Sequence, residues 1–169
     1  MKRFVLFLII LLALAGILSA CGNASAEPVE ITLDIDKCYT CHMGIEDLQA
    51  AAQSILTDGT PRFFDDIGCM LVYLDETNDD VAISYVKDHL TSKWMDVSKG
   101  YFIHDHTIET PMSYGFIAFS SEEAALQFGA DHGGELLSSA ELSQIDQDSL
   151  KEWYRSHTNE HGHSGMGMN

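Results

Sequence analysis

The chain has little positive charge, with 9 lysines and arginines against 26 aspartates and glutamates and a formal net charge of −17. A surface this acidic repels the phosphates of nucleic acids and the headgroups of anionic lipids, so we expect no nucleic-acid partner. The sequence also shows no Ser-His-Asp arrangement, phosphate-binding glycine loop or paired-carboxylate signature. Cations and basic proteins are the ligands that such a chain favours.

A hydrophobic run long enough to cross a membrane is also missing. The apolar stretch at 4–18 follows Lys2 and Arg3, and it is shorter than the about 20 residues that a membrane-spanning helix needs. It therefore predicts the core of a signal peptide, 1–20, ending in LSAC (18–21), which resembles a bacterial lipobox. We expect Cys21 to be acylated and to anchor an extracytoplasmic lipoprotein, periplasmic or on the outer cell surface. An uncleaved N-terminal anchor would leave the protein on the same side of the membrane.

The rest of the chain is long enough for one compact domain. Small and polar residues predict a tether at 21–29, followed by a domain at 30–156 and a flexible tail at 157–169. The domain begins with a predicted strand at 29–35, overlapping the end of the tether by one residue.

Two successive segments of the domain carry the same predicted order of elements. In the first, the Asp58-Gly59 turn predicts a hairpin, Asp65 or Asp66 is a candidate helix cap, and a β-branched strand follows. These elements are a hairpin at 50–64, a helix at 67–76 and a strand at 81–88. The second segment comprises strands at 100–105 and 113–119, a helix at 120–134 and a strand at 135–138, before a final helix around 146–156. We therefore predict an α+β fold of two packed ββαβ units.

The hexapeptide CYTCHM, 38–43, is the main chemical signal. Thiolates and thioethers are soft ligands that select Cu(I). Cys41 and Met43 are two residues apart, so both sulfurs reach one ion from an extended segment, and Cys38 joins if the loop curls. The thiolate is the ligand, so metal binding releases protons and weakens as the pH falls.

The remaining cysteine and two histidines of the domain are weaker candidates for metal binding, and a disulfide is an alternative to metal binding in the CYTCHM loop. With Cys21 acylated, three cysteines remain, and a Cys38–Cys41 disulfide competes with metal binding outside the cytoplasm. Cys69 is expected to be a buried hydrophobe on its helix rather than a ligand. His104 and His106 flank a strand end and are expected to face solvent, a surface metal site being the alternative.

The C-terminal tail is rich in histidine and methionine. It predicts a weak auxiliary metal site, or else an unstructured tail whose composition is incidental. The auxiliary ligands would be His161, His163, Met166 and Met168, with His157 nearby.

Several segments together resemble the NosL family of lipid-anchored copper chaperones for nitrous oxide reductase. They are CYTCHM, FFDDIGCM (63–70), SYVKDHLTSKWMDVSKGYFI (84–103), TPMSYGFIAF (110–119) and the glycine pair after the second helix. The resemblance implies two ββαβ units related to the organomercurial lyase domain. It also implies Cu(I) delivery to an extracytoplasmic reductase or its membrane assembly complex. Met112, after Pro111, is implied as a further copper ligand, although ordinary packing would also explain it.

Two other functions compete with a non-catalytic chaperone. A membrane-anchored thiol–disulfide oxidoreductase would use Cys38 and Cys41, but redox C-x-x-C motifs favour a βαβ context, and Met43 has no role in exchange. An enzyme cleaving carbon–metal bonds would need Cys41, Cys69 and Asp66 to converge, which the sequence does not indicate.

Overall fold

The computed structural model describes the backbone of residues 26–161, and the side chains within this range except Gln147, Tyr154 and 157–161. Outside the described residues lie the predicted signal segment, the lipidation site Cys21, most of the tail (including His163, Met166 and Met168) and the side chain of His161. Within the described range, no helix combines the length and the apolar character needed to span a bilayer.

The first ββαβ unit confirms the predicted order. Strands β1 (Ala52–Leu56) and β2 (Pro61–Phe64) form an antiparallel hairpin, helix α1 spans Ile67–Glu76, and β3 spans Val81–Lys87. The hairpin turns at Gly59, whose φ of 85° favours glycine. Strand β4 (Trp94–Asp96), which the sequence did not predict, extends the sheet to the order β2-β1-β3-β4.

The second unit repeats this topology. Strands β5 (Tyr101–His104), β6 (Phe116–Phe119) and β7 (Glu135–Ser138) form an antiparallel sheet of order β6-β5-β7, with helix α2 (Glu122–His132) between β6 and β7. In both sheets the first strand of the unit lies between the other two. Two further helices follow, the short α3 (Ser139–Leu142) and the longer α4 (Gln147–His161). Helix α4 thus runs past residue 156, where its end was predicted.

The predicted strand at 29–35 is wrong. Residues 33–35 form a turn, in which Asp34 has a φ of 66°. The Asp36 carboxylate accepts a hydrogen bond from the Thr32 backbone N–H at 2.7 Å, so a local side-chain bond replaces strand pairing. Just before this turn, the side-chain amide of the buried Gln53 accepts a hydrogen bond from the Val29 N–H and donates one to the Val29 carbonyl. These two bonds hold the segment on the first sheet.

Strand β6 begins at Phe116 instead of residue 113 because of two left-handed residues. Ser113 has a φ of 58° and Gly115 a φ of 71°, which extended strands do not contain. A Cβ atom on Gly115 would lie 2.1 Å from the Asp105 carbonyl oxygen, so glycine is required there. The segment before β6 is therefore a compact loop carrying Met112.

Asp88 joins the two units. Its carboxylate accepts hydrogen bonds from the Ser120 N–H at 2.7 Å and from the Thr91 N–H and hydroxyl. The next N–H along the chain, that of His89, donates to the Ala118 carbonyl at 2.7 Å. These bonds connect the end of β3 to β6 and fix the two sheets side by side.

Candidate metal centre

The CYTCHM segment folds into a closed loop. The Cys38 N–H donates to the Met43 carbonyl at 2.9 Å, and the His42 N–H donates to the Cys38 carbonyl at 3.0 Å. His42 has a φ of 64°, which reverses the chain there. As a result the Cys41 N–H points at the Cys38 sulfur, 3.5 Å away. The loop curls in the way required for the Cys38 and Cys41 sulfurs to bind one metal ion.

Helix α1 supplies the facing side of the centre. Asp66 caps the helix by accepting a hydrogen bond from the Gly68 N–H at 2.9 Å, which places Cys69 in the first turn. The Thr40 hydroxyl donates to the Cys69 carbonyl at 2.8 Å, and the Tyr39 N–H donates to the Phe63 carbonyl at 2.8 Å. The loop is thus docked on the end of β2 and the start of α1.

Four ligand atoms meet at this junction. The sulfurs of Cys38, Cys41 and Cys69 and a carboxylate oxygen of Asp65 all lie within 4.8 Å of one another. Cys38 and Cys69 are almost fully buried, whereas Cys41 is partly exposed, and none of the three is in a disulfide. The Cys41 sulfur lies 3.3 Å from Asp65 Oδ2. We call these four residues the thiol cluster; it has one partly open side at Cys41.

Hydrogen bonding and burial shift the pKa values of the four groups in the thiol cluster in different directions. Bonds from the Cys41 and Cys69 thiols stabilise the Cys38 thiolate and lower its pKa. The same bonds, with burial, raise the pKa of the Cys41 thiol and of the Cys69 thiol. Burial, followed by the nearby Cys38 charge, raises the pKa of Asp65 to about 7. Hydrogen bonding within the cluster therefore favours the thiolate form of Cys38 over that of Cys41 and Cys69.

The Asp65 carboxyl is incompletely satisfied. Its Oδ1 atom is buried and has no hydrogen-bond partner among the described residues. Buried carboxylate oxygens without partners are rare and costly. A cation in the cluster would remove this cost, so the donor set of three sulfurs and one carboxylate fits a metal ion.

The two predicted methionine ligands lie in different environments. The Met43 side chain is 48% exposed. Met112 is buried in the same hydrophobic cluster as Cys38 and Cys69. Its N–H donates to Asp66 Oδ2 at 3.1 Å, and the Thr110 hydroxyl donates to the same atom at 2.6 Å. The Met112 loop is thereby tied to the start of α1, and ligation by either methionine stays a prediction.

Sequence reasoning missed Asp65 and Cys69 as members of the centre. Cys69 is buried as expected, but its thiol also faces the other two. Asp65, rather than Asp66, is the aspartate beside the thiols, because the Asp66 carboxylate is engaged as the helix cap. The only available signal was closeness in sequence, because Asp65 directly precedes the cap of α1 and Cys69 lies in its first turn.

Comparisons with known proteins agree with this fold. The sequence model of the NosL family matches residues 28–147. A crystal structure of the copper chaperone NosL from Shewanella denitrificans superimposes with a TM-score of 0.60 at 17% sequence identity, covering 74% of this chain and 100% of that one. No curated protein matches the chain. Because the family match spans most of the sequence, the chain belongs to the NosL family.

Proposed function

We propose that this protein is a metallochaperone that binds one Cu(I) ion through Cys38, Cys41 and Cys69. The observation that carries the proposal is the convergence of three free thiols from two separate elements within 4.8 Å. The related fold of a protein named as a copper chaperone supports it. A chaperone binds and transfers its metal and catalyses no reaction.

The chemistry of the cluster suits Cu(I). Thiolates are soft donors and select this ion over hard cations. Cys38 and Cys69 are buried, which shields bound Cu(I) from water and oxidants, while Cys41 lies at the open side. A partner thiol or imidazole arriving there displaces Cys41 first, and the ion leaves by stepwise ligand exchange. Asp65 supplies negative charge beside the sulfurs and offsets part of the positive charge of the ion.

The two methionines take supporting roles in this proposal. Met43, exposed next to Cys41, offers a thioether to the ion as it enters or leaves. Met112 is buried in the same hydrophobic cluster as Cys38 and Cys69, and Asp66 holds its backbone N–H. A thioether carries no charge, so it binds Cu(I) without adding to the repulsion among thiolates. Replacing Met43 is therefore expected to slow transfer more than it weakens affinity.

The decisive experiment is an anaerobic Cu(I) titration against a competing chelator, using a soluble chain that starts at residue 24. We expect one tightly bound ion, lost when Cys38, Cys41 and Cys69 are changed to serine. The matched control changes His157, His161 and His163 in the tail to asparagine and should bind Cu(I) as tightly as the parent. Unchanged binding in the triple-serine protein would refute the proposed centre.

The receiving protein and the anchor belong to the same proposal. Cu(I) passes to an extracytoplasmic copper enzyme, nitrous oxide reductase, directly or through its membrane assembly complex, and a lipid on Cys21 keeps the chaperone at the membrane. Transfer is measured by mixing the Cu(I)-loaded protein with the copper-free reductase and following the enzyme's absorption and activity. Mass spectrometry of the membrane-extracted protein tests the lipid.

The same protein distinguishes the redox alternative. A thiol–disulfide oxidoreductase would bind Cu(I) weakly and would show a Cys38–Cys41 potential near that of thioredoxin, about −270 mV. It would also reduce a disulfide substrate with turnover. That result would replace the copper proposal.

A further inference from the structure

Exposed apolar side chains are concentrated in the segment that contains the CYTCHM loop. Among the described residues, eight large hydrophobic side chains are exposed, and six of them lie between positions 29 and 48. These six are Val29, Leu33, Ile35, Tyr39, Met43 and Leu48. Single exposed apolar residues are ordinary, but their concentration in one place marks an interaction surface. The segment therefore needs an explanation beyond metal binding.

The chain on both sides of the loop forms a small hairpin. Lys37 pairs with Gly44 in an antiparallel bridge, and the Ile45 N–H donates to the Asp36 carbonyl at 3.3 Å. Residues that face each other in such a pair have Cα atoms about 4.5–5.5 Å apart. The two arms are therefore direct neighbours.

Three exposed apolar residues of this hairpin form what we call the apolar patch, namely Ile35, Tyr39 and Met43. Their side chains are 73%, 46% and 48% exposed, respectively. Tyr39 and Met43 are each two positions from Cys41, the partly exposed thiol of the cluster. The patch thus belongs to the same short hairpin as the thiol at which the proposed ligand exchange begins.

Tyr39 is held in place although nearly half of it is exposed. The Arg62 guanidinium lies over its ring, 4.5 Å from the centroid, and the Tyr73 ring meets it edge to face at 5.3 Å. A partner that contacts a fixed ring immobilises little further side-chain motion, so binding costs less entropy. Aromatic residues of this kind often contribute most of the binding energy of an interface.

The charge around the patch is mainly negative. The exposed carboxylates of the segment 29–48 are Glu30, Asp34, Glu46 and Asp47. Its one basic side chain among lysines and arginines is Lys37, and the nearby Arg62 is already paired with Asp79 at 3.2 Å. Charge complementarity therefore favours a basic partner. A second copy of this chain, with its own net charge of −17, and an anionic membrane would both be repelled.

We propose that the apolar patch is the docking surface for the protein that exchanges Cu(I) with the thiol cluster. The matching face of that partner carries apolar side chains surrounded by lysines and arginines. The inference rests on the proposed function and adds where, and through which chemistry, the receiving protein binds. Contacts that bury less than about 1,200 Å² are typical of transient complexes, and a small patch with rapid release suits a protein that passes an ion on.

The test compares the patch with exposed leucines elsewhere, in copper-free chains that start at residue 24. One variant carries Ile35→Ser and Tyr39→Ser, and its control carries Leu90→Ser and Leu126→Ser, whose leucines are 67% and 53% exposed. Biolayer interferometry measures binding to copper-free nitrous oxide reductase and to its assembly complex in detergent. We expect the patch variant to bind at least about tenfold more weakly to one of them, as is typical when central interface residues are truncated. The control should bind like the parent.

Circular dichroism checks that these variants are folded. If the double patch variant is not, Ile35→Ser alone is compared with Leu90→Ser, since both side chains are largely exposed. Cu(I) affinity, measured by chelator competition, should be the same in the parent, patch and control proteins. A parent that binds no Cu(I) would refute the copper centre. A parent that binds Cu(I) tightly, with equal docking by the patch and control variants or with no docking at all, would overturn the docking surface alone.

Salt dependence tests the basic character of the partner. Parent binding should weaken as salt is added, because screening reduces attraction between opposite charges. A variant with Asp34→Asn, Glu46→Gln and Asp47→Asn should lose most of this dependence. The control, with Glu122→Gln, Glu123→Gln and Asp131→Asn on α2, should keep it. Parent binding that does not change with salt would overturn the charge argument.

Two further measurements test the other possible occupants of the patch. Cosedimentation with phosphatidylcholine vesicles, with and without phosphatidylserine, detects a membrane contact, and sedimentation equilibrium detects a dimer. We expect neither in the parent. Vesicle binding or dimerisation that is lost in the patch variant and kept in the leucine control would assign the patch to that occupant and overturn the proposal.

Discussion

Helices α1 and α2 begin in the same way and have different surroundings. Each follows a strand that ends in a phenylalanine, Phe64 or Phe119, and each is capped by the side chain two residues later, Asp66 or Ser121. Helix α1 is buried over most of its length, whereas Ala125 is the one residue of α2 that is fully buried. The buried residues of α1 are Ile67, Gly68, Cys69, Met70, Leu71, Val72 and Tyr73.

The difference in burial between α1 and α2 shows where a metal site can arise in a fold made of two similar units. Asp65 and Cys69 of the first unit correspond in position to Ser120 and Ala124 of the second. The CYTCHM loop covers the start of α1 through Thr40, so polar groups there are enclosed and can be aimed at an ion. At the start of α2, Ser120 instead donates its N–H to Asp88, which uses this position to join the units. The same topology thus carries a candidate ligand set in one copy and a structural contact in the other.

The largest expected difference between the two helix starts concerns their caps. Asp66→Ala removes a fully buried carboxylate that accepts bonds from Gly68, Thr110 and Met112. Each buried donor left without a partner costs about 1–3 kcal/mol, so we expect a loss of about 4 kcal/mol in the free energy of unfolding. Ser121→Ala, the matched change, should cost about 1 kcal/mol. Chemical denaturation measures both, and equal losses would contradict the asymmetry.

The next contrast between α1 and α2 concerns how tightly the first turn of each helix is packed. A Cβ atom on Gly68 would lie 2.0 Å from Cγ of the buried Tyr114. We expect Gly68→Ala to destabilise the protein by about 3 kcal/mol through overpacking. The corresponding change in α2, Glu123→Ala, removes an exposed first-turn carboxylate and should cost about 0.3–1 kcal/mol. A Gly68→Ala melting temperature close to that of the parent would show that Tyr114 moves away freely.

The cysteine of α1 tests the metal centre directly. Cys69→Ser replaces a proposed soft ligand by a hydroxyl. Losing a side chain that merely hydrogen-bonds a metal ligand costs about 10–100-fold in affinity. Since Cys69 is itself a proposed ligand, we expect Cu(I) affinity to fall by the upper end of that range, about 100-fold. Ala124→Ser makes a hydroxyl at the matching position of α2 and should leave the affinity unchanged. Competition with a Cu(I) chelator measures both. Full affinity in Cys69→Ser would restrict the ligands to the CYTCHM loop and the methionines.

The smallest expected effect is at the joint between the units, and it depends on pH. Burial acts to raise the pKa of Asp88, but hydrogen bonds from Thr91 and Ser120 outweigh it and lower the pKa below the ordinary 3.8. The carboxylate therefore contributes stability above about pH 4, which is lost as the pH falls through the lower folded-state pKa. We expect Asp88→Asn to cost about 1–2 kcal/mol at pH 7.

The control for this joint is the same comparison at low pH. The difference in unfolding free energy between the parent and Asp88→Asn should shrink below pH 4, because the parent carboxyl then becomes neutral as well. If the difference in unfolding free energy stays constant down to pH 2.5, the packing of the Asp88 side chain, rather than its charge, holds the units together. Urea denaturation at a series of pH values decides this.

Local signals in the sequence predicted much of the fold. The Asp58-Gly59 turn and the aspartate cap before α1 each act over a few residues, and the structure confirms them. The strand at 29–35 failed because the Asp36 side chain competes for the Thr32 N–H, an alternative that alternating hydrophobicity does not show. Strand β4 has three residues and, among the described strands, pairs with β3 alone, so its pattern is too brief to recognise.

The sequence by itself determined the order of elements in the two ββαβ units, the cap of α1 and the presence of soft donor side chains in the CYTCHM loop, because these depend on neighbouring residues. Only the tertiary structure decided that Cys69 and Asp65 face the loop, with Thr40 and Cys69 joined across 29 positions. It likewise decided that His104 stacks on Phe116 and His106 on Trp153. Such contacts depend on how helices and loops pack across the core, and a one-dimensional pattern does not contain that geometry.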